Sequence, residues 1–257
     1  MSTLLECEKV TIQFGGLTAV SELDLRIGER ELVGLIGPNG AGKTTAFNLI
    51  TGVYQPTSGR IAFRGQPTAG VKPFSLSRQG ISRTFQNIRL FASMTVFDNV
   101  RTAMQGNCAQ GLGETLLRGR TFRETEERVA HEVIELLKIF GLERFRDTPG
   151  KSLPYGDQRR LEIVRALATQ PRLLLLDEPA AGMNPTEKQE LMKLIGFVQE
   201  KYGIAILLVE HDMKVVMGIC QRIAVLDYGV KIAEGTPEEI RRNPKVIEAY
   251  LGAEVTD

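Results

Sequence analysis

The 257 residues predict an α/β fold with antiparallel strands at the front of the chain and a helical segment inserted in its middle. Three observations carry that prediction. Apolar and polar residues alternate over Leu4–Phe14 and Ala19–Ile27, the pattern of half-buried antiparallel strands. Glu31–Ile36 is a compact apolar run, and the continuous runs Leu173–Leu176 and Ile204–Val209 suit parallel strands buried on both faces. From Thr95 to about Arg146 the period becomes helical, as in Glu126–Phe140, interrupted by the Gly-rich GNCAQGLG (106–113).

Each further element has a local reason. After the run to Ile36 comes GPNGAGKTT, followed by a helix-like AFNLITG that ends at Gly52. GRIAFRG (59–65) reads as a strand between glycines. In LPYGDQRRLEIVRAL (153–167) an amphipathic helix begins near Tyr155, directly after Pro154. A helix Pro185–Tyr202 has Asn184 as its cap and proline at its first position. TPEE (236–239) sets Thr and Glu at capping-box spacing, and a short helix Lys245–Leu251 follows Asn243-Pro244.

Composition narrows the function. With 42% hydrophobic and 25% charged residues the chain is an ordinary globular protein. Its 32 basic against 31 acidic residues argue against nucleic-acid binding through bulk charge. Cys7, Cys108 and Cys220 are scattered, which fits a reducing compartment and neither a disulfide framework nor a zinc site. A polar, mixed stretch follows Met1, so no signal peptide is expected. The longest apolar runs are too short to cross a bilayer, and any membrane role is expected to come through a partner.

The chemistry begins at the loop. Gly37, Gly42, Lys43 and Thr44 match G-x-x-x-x-G-K-[ST] between an apolar strand and a helix, the context that motif requires. Glycines let backbone amides wrap phosphates without a Cβ, and the bare helix end adds N–H groups and a positive dipole. Lys43 adds a charge for the β- and γ-phosphates, and Thr44 a hydroxyl for Mg²⁺. A second GKS, at Gly150–Ser152, is a decoy: Phe145 stands where the first glycine belongs, and no apolar strand precedes it. LLLLDEP (173–179) delivers Asp177 at a strand's carboxyl end, where ligand sites of α/β sheets lie. Because neighbours on a strand face opposite sides, Asp177 is expected to serve Mg²⁺ and Glu178 the attacking water. His211, at the end of an apolar strand, and Gln86, after ISRTF, say little alone, and His131 reads as a solvated surface residue.

The ordered series GPNGAGKTT, TFQN, LPYGDQRR, LLLLDEP, AGMNP and VEHDM resembles the nucleotide-binding subunit of an ABC transporter over essentially the whole chain. The resemblance implies a single P-loop NTPase domain with a RecA-like core (1–94 and 165–235, including the antiparallel β subdomain). It also implies an inserted helical subdomain at about 95–164 and C-terminal helices at 236–257. ATP would be bound by Gly37, Pro38, Asn39, Gly40, Ala41, Gly42, Lys43, Thr44 and Thr45, with Mg²⁺ at Thr44, Gln86 and Asp177. Glu178 would be the catalytic base, Gln86 the residue reaching Mg²⁺ and the attacking water, and His211 the switch at the γ-phosphate. Ala180–Pro185 would form the D-loop. Phe14 matches the aromatic that stacks on adenine, although alone it reads as core.

LPYGD stands where the family has LSGGQ, so Leu153, Pro154, Tyr155, Gly156, Asp157 and Gln158 would face the ATP of an opposite subunit. Pro154 replaces the usual serine and removes a hydroxyl and an N–H, while Asp157 replaces a glutamine. Longer stretches, among them FGGLTAV (14–20), RTFQNIRLF (83–91) and GTPEEIRRNPKVIEAYLG (235–252), resemble the ATP-binding subunits of branched-chain amino-acid importers. The segment from about Arg101 to Phe122 resembles the longer of the two ATPases in such systems. Implied partners are transmembrane permease subunits, a homologous second ATPase or a second copy, and indirectly an extracytoplasmic substrate-binding protein. No nucleic acid is implied, and the location would be the cytoplasmic side of the plasma membrane. IRLFASMTVFDNV (88–100) reads equally as a permease-docking groove or as core. ATPases for urea or amide uptake or lipid export share much of this wording. Soluble ABC ATPases of DNA repair need long heptads and ribosomal ones two phosphate loops, and neither feature is present.

Overall fold

A computed structural model describes residues 2–106 and 120–254. Most of the Gly-rich 106–113 stretch, Cys108 and most of the 101–122 segment lie outside the described residues. The described chain divides into two units, Met1–Arg83 with Arg172–Asp257, and Thr84–Pro171.

In the first unit, alternation at the N-terminus produces the expected antiparallel sheet. β1 (Thr3–Phe14) and β2 (Leu17–Gly28) form a hairpin, and β4 (Ser58–Phe63) and the two-residue β5 (Gln66–Pro67) complete the order β2-β1-β4-β5. Leu5, Cys7, Val10 and Ile12 of β1 point into the core, and polar residues fill most of the positions between them.

The second sheet has the order β10-β9-β3-β8-β7-β6. Every residue of β3 (Leu32–Ile36), β7 (Leu173–Asp177) and β8 (Ala205–Val209) is buried, as the continuous apolar runs of β7 and β8 predict. Leu35 and Asp177 both pair with Val209, so the three parallel strands end side by side. The chain therefore leaves the sheet three times at one edge: into Gly37, into Glu178 and into Glu210. β6 (Ile81–Arg83), β9 (Arg222–Asp227) and β10 (Val230–Gly235) carry no periodicity long enough to be picked out from the sequence. Pairing makes them strands: β6 lies parallel to β7, β9 parallel to β3, and β10 antiparallel to β9.

Helices of this unit are α1 (Lys43–Ile50), α2 (Pro73–Gln79), α6 (Pro185–Tyr202), α7 (Met213–Ile219), α8 (Pro237–Arg241) and α9 (Pro244–Glu254). The expected capping box forms at Thr236, and the expected cap Asn184 proves to be a second one. Asn184 Oδ1 accepts from the Thr186 and Glu187 amides at 3.0 Å, and Glu187 accepts from the Asn184 amide at 2.9 Å. Thr236 and Glu239 exchange the equivalent pair at the start of α8.

The second unit contains α3 (Val96–Gln105), α4 (Arg120–Ile139) and α5 (Tyr155–Ala168). Residues 88–100 divide between their two readings: Phe91 and Met94 are exposed, whereas Val96 and Val100 are buried. Fully buried Asn99 holds the turn between them, donating to the Phe91 and Thr95 carbonyls at 3.0 Å and accepting from the Phe91 amide at 2.9 Å. The decoy Gly150–Ser152 is a single 3₁₀ turn whose Gly150 and Lys151 amides bond the Met94 and Ala92 carbonyls. Its amides are used structurally. Among the described residues no helix is long and apolar enough to cross a membrane.

Candidate nucleotide site

The loop from β3 to α1 depends on two glycines that no other residue could replace without a shift. Gly37 has φ +152° and an added Cβ would lie 2.0 Å from the Leu226 carbonyl oxygen. Gly42 has φ +97° and its Cβ would lie 2.6 Å from the Ala19 oxygen. Behind the loop, the Gly229 amide donates to the Ala41 carbonyl at 3.1 Å, and the Ser21 amide of β2 donates to the Gly229 carbonyl at 2.8 Å. The backbone is thus braced from the rear, while Asn39, Gly40 and Thr44 are exposed and Pro38 and Thr45 are half-buried. Gly42 occupies the cap of α1 and no side chain bonds to the helix end. A bare helix terminus of this kind presents amides and a positive dipole to an anion.

Lys43 is buried, and its ammonium donates to the Gly37 carbonyl at 2.7 Å and the Pro38 carbonyl at 2.8 Å. An ammonium has three donors, so one remains for a phosphate oxygen. Burial pulls the Lys43 pKa below the ordinary lysine range, and the charges of Glu178 and Asp177 oppose that shift.

Asp177 ends β7 and is buried. The sequence places Asp177 and Glu178 on opposite sides of one strand by pleat alternation, and here the structure corrects it. Glu178 lies beyond the strand with φ +47°, a left-handed conformation costing a non-glycine residue roughly 1–3 kcal/mol. Its amide bonds the Val209 carbonyl at 2.8 Å, which helps hold the turn. The two acids diverge because the chain turns, not because it pleats. Glu178 Oε2 is 3.7 Å from His211 Nδ1, close enough for a charge interaction and too long for a hydrogen bond.

Three residues of this unit escaped sequence reasoning. Arg83 of β6 donates to Asp177 Oδ2 at 2.8 Å and to Asn48 Oδ1 of α1 at 2.6 Å, with its guanidinium 5.4 Å from the Phe47 ring centre. Glu210, fully buried, accepts from the Ala180 amide at 2.7 Å and the His211 amide at 3.3 Å, and burial pushes its carboxyl pKa up. The same side chain therefore fixes both the start of Ala180–Pro185 and the turn carrying His211. Tyr54 meets Phe14 edge-on, ring centres 5.1 Å apart. Phe14 itself is 44% exposed, which corrects its reading as core: it sits at the hairpin end of β1, past the last inward-facing position. The only signal for Glu210 was a charge beside an apolar run, which is common at strand ends, and Arg83, between Ser82 and Thr84, had none.

Among the described residues no cluster of three or more His, Cys, Asp or Glu could by itself hold a metal. A cation at the Thr44 hydroxyl and Asp177 would have to take most of its oxygens from phosphate and water. An open groove of about 1090 Å³ on the antiparallel sheet, lined by Glu8, Lys9, Asp24, Arg26 and Arg60, touches none of these residues. Arg26 and Arg60 there are paired with Glu6 and Glu8.

The second unit carries Gln86 and Leu153–Gln158. α5 begins at Tyr155 as expected, with Pro154 at its cap (φ −54°, ψ 151°) and no side chain bonded to the helix end. Leu153 is buried, Tyr155 exposed, and Gly156 and Asp157 half-buried. Gln158 donates back to the Leu153 carbonyl at 2.9 Å. Gln86 has an exposed side chain, and its carbonyl accepts from Arg159.

Known proteins match this arrangement closely. The family model for the ABC transporter matches residues 20–181, and that for the branched-chain amino acid ATP-binding cassette transporter matches residues 230–256. The high-affinity branched-chain amino acid transport ATP-binding protein LivG of Salmonella typhimurium (strain LT2) is 48% identical over 249 residues, 97% of this chain and 98% of that protein. A crystal structure of an ATP-binding cassette of an ABC transporter in its ADP conformation superposes with a TM-score of 0.84 at 29% identity. The match covers 98% of this chain and 100% of that one. A dimeric cassette in a post-hydrolysis state bound to ADP and Pi superposes with a TM-score of 0.77 at 26% identity, covering 91% of this chain and 99% of that one. With a phosphate loop, two acids and a histidine carried on one sheet edge, and likeness along nearly its whole length, the chain belongs to the ABC transporter family of ATP-binding proteins.

Proposed function

We propose that the chain is the ATP-binding and ATP-hydrolysing subunit of a membrane importer for branched-chain amino acids. The observation that supports this most is the near-full-length likeness to a branched-chain amino acid transport ATP-binding protein, with Lys43, Asp177, Glu178 and His211 all in place.

Amides of Gly37–Thr45 and the remaining donor of Lys43 take up the β- and γ-phosphates. Phe14, backed by Tyr54, offers an exposed ring face to adenine. Thr44 and Asp177 would hold Mg²⁺, which would supply positive charge against the phosphate oxygens. Glu178 accepts a proton from the attacking water, and His211 lies beside it to contact the γ-phosphate. A second subunit, homologous or identical, closes the site with its own residues Leu153–Gln158. The helix end at Tyr155 and Gly156 there replaces the serine hydroxyl lost at Pro154. Permease subunits dock at the exposed Phe91 and Met94, which follow Gln86, and hold the protein at the cytoplasmic face of the membrane. An extracytoplasmic receptor delivers the amino acid to them. No nucleic acid takes part.

The test is Glu178→Gln. Loss of a general base lowers turnover by about 10²–10⁴-fold, and ATP should then accumulate a dimer visible by light scattering. Hydrolysis near the wild-type rate would remove Glu178 from this role. Copurification of two permeases with a receptor that binds leucine tests the substrate, and a receptor for urea or a lipid would replace it.

A further inference from the structure

We propose that Arg159 is a positioning residue that ties Tyr155, on the signature helix, to the backbone at Gln86, so that engagement of Tyr155 by the opposite subunit is felt at Gln86. The inference rests on the reading above, in which Tyr155 meets the nucleotide of the opposite subunit.

The physical basis is a saturated guanidinium. Arg159 is 4% exposed and has five N–H donors in a rigid fork. Nε and Nη2 donate to the Tyr155 hydroxyl at 3.1 and 2.9 Å. Nη1 donates to the Phe85 carbonyl at 2.9 Å and lies 3.5 Å from Glu162 Oε2. Nη2 also donates to the carbonyl of Gln86 itself. Glu162, on the next turn of α5, accepts from the Phe85 amide at 3.2 Å and the Arg89 amide at 3.3 Å. The exposed Tyr155 side chain and the backbone of Gln86 are thereby joined through a buried bridge. LPYGD against LSGGQ puts Tyr155 where that signature has a glycine, and a glycine could accept none of these bonds. A displacement of Tyr155 must move the guanidinium, and the guanidinium carries the Gln86 carbonyl with it. Lysine offers one point charge and lacks the fork that reaches these four acceptors.

The experiment uses the full-length chain, with its partner ATPase subunit if the two copurify, in a Glu178→Gln background that holds ATP. Amide hydrogen exchange is followed for the peptide spanning residues 85–89, with and without ATP. In the parent, ATP is expected to slow exchange of this peptide by tenfold or more. Adding Tyr155→Phe, which keeps the ring and the backbone amide and deletes only the hydroxyl that accepts from Arg159, should remove most of the ATP-dependent slowing when compared at the parent's dimer fraction. Exchange without ATP should change by less than twofold, because Glu162 still holds the Phe85 and Arg89 amides. Full ATP-dependent protection in Tyr155→Phe overturns the proposal. So does faster exchange with and without ATP alike, which would mark a merely structural brace. If Tyr155→Phe dimerises less readily, ATP is raised until light scattering gives the parent's dimer fraction, and the same two outcomes are read there. A Glu178→Gln parent that fails to dimerise with ATP overturns the dimer reading itself, and this inference with it.

Discussion

Adding one methyl group at three glycines separates backbone strain from steric clash in the phosphate loop. At Gly42, φ is +97° and the new Cβ would lie 2.6 Å from the Ala19 carbonyl oxygen. Holding alanine in that conformation costs roughly 1–3 kcal/mol. Forcing apart a close-packed contact adds about 1–3 kcal/mol. Gly42→Ala should therefore lose on the order of 2–6 kcal/mol. At about 2–4 °C per kcal/mol for a chain of this size, the melting temperature falls by roughly 10 °C. Gly40 has a similar φ, +80°, and open space around the Cβ, so Gly40→Ala bears only the strain. Gly196 lies inside α6 with nothing within 4 Å, and Gly196→Ala should gain about 0.5–1 kcal/mol. Calorimetry with and without ATP reads all three. Ligand at a hundredfold excess over its Kd adds about 2.7 kcal/mol, so wild type and Gly196→Ala should both show a nucleotide-dependent rise, and Gly42→Ala should not. A Gly42→Ala protein that melts no lower than Gly40→Ala and keeps the full ATP response would refute the account of the loop.

Other outcomes follow from the same geometry. Pro154→Ser restores a hydroxyl able to cap α5, worth about 0.5–2 kcal/mol, and is expected to keep or raise ATPase turnover; a large loss would count against the signature reading. Burial pushes the Cys7 and Cys220 thiols up to about 12, leaving a thiolate fraction of about 10⁻⁴ at pH 8. Neither should react with iodoacetamide in the native protein, as read by peptide mapping, and labelling at wild-type stability would contradict their packing. Burial also raises the Glu210 carboxyl above its ordinary 4.5, so the folded state keeps that proton to a higher pH than the unfolded chain. The stability linked to it is fully present below 4.5 and is lost as pH rises through the raised value. Urea midpoints of Glu210→Gln should accordingly improve relative to wild type from pH 5 to pH 8, and a constant difference would show that the burial carries no such linkage.

The glycine-lysine loop, the two continuous buried strands, the Asn184 cap, the capping box at Thr236 and the start of α5 at Tyr155 were all legible in the order of residues. Each is decided within a few positions of itself: by a run of apolar side chains, by a cap three residues from its partner, or by a proline that sets φ. Tertiary structure alone decided the rest. Arg83 reaches Asp177 across 94 positions and Glu210 reaches Ala180 across 30, contacts that exist only because strand order sets those segments side by side. β6, β9 and β10 are strands through pairing rather than pattern, and Glu178 turns left-handed because a neighbouring strand holds its amide. Short-range preference wrote the elements and the phosphate-binding chemistry, whereas the sheet's register chose which distant charges stand together at its edge.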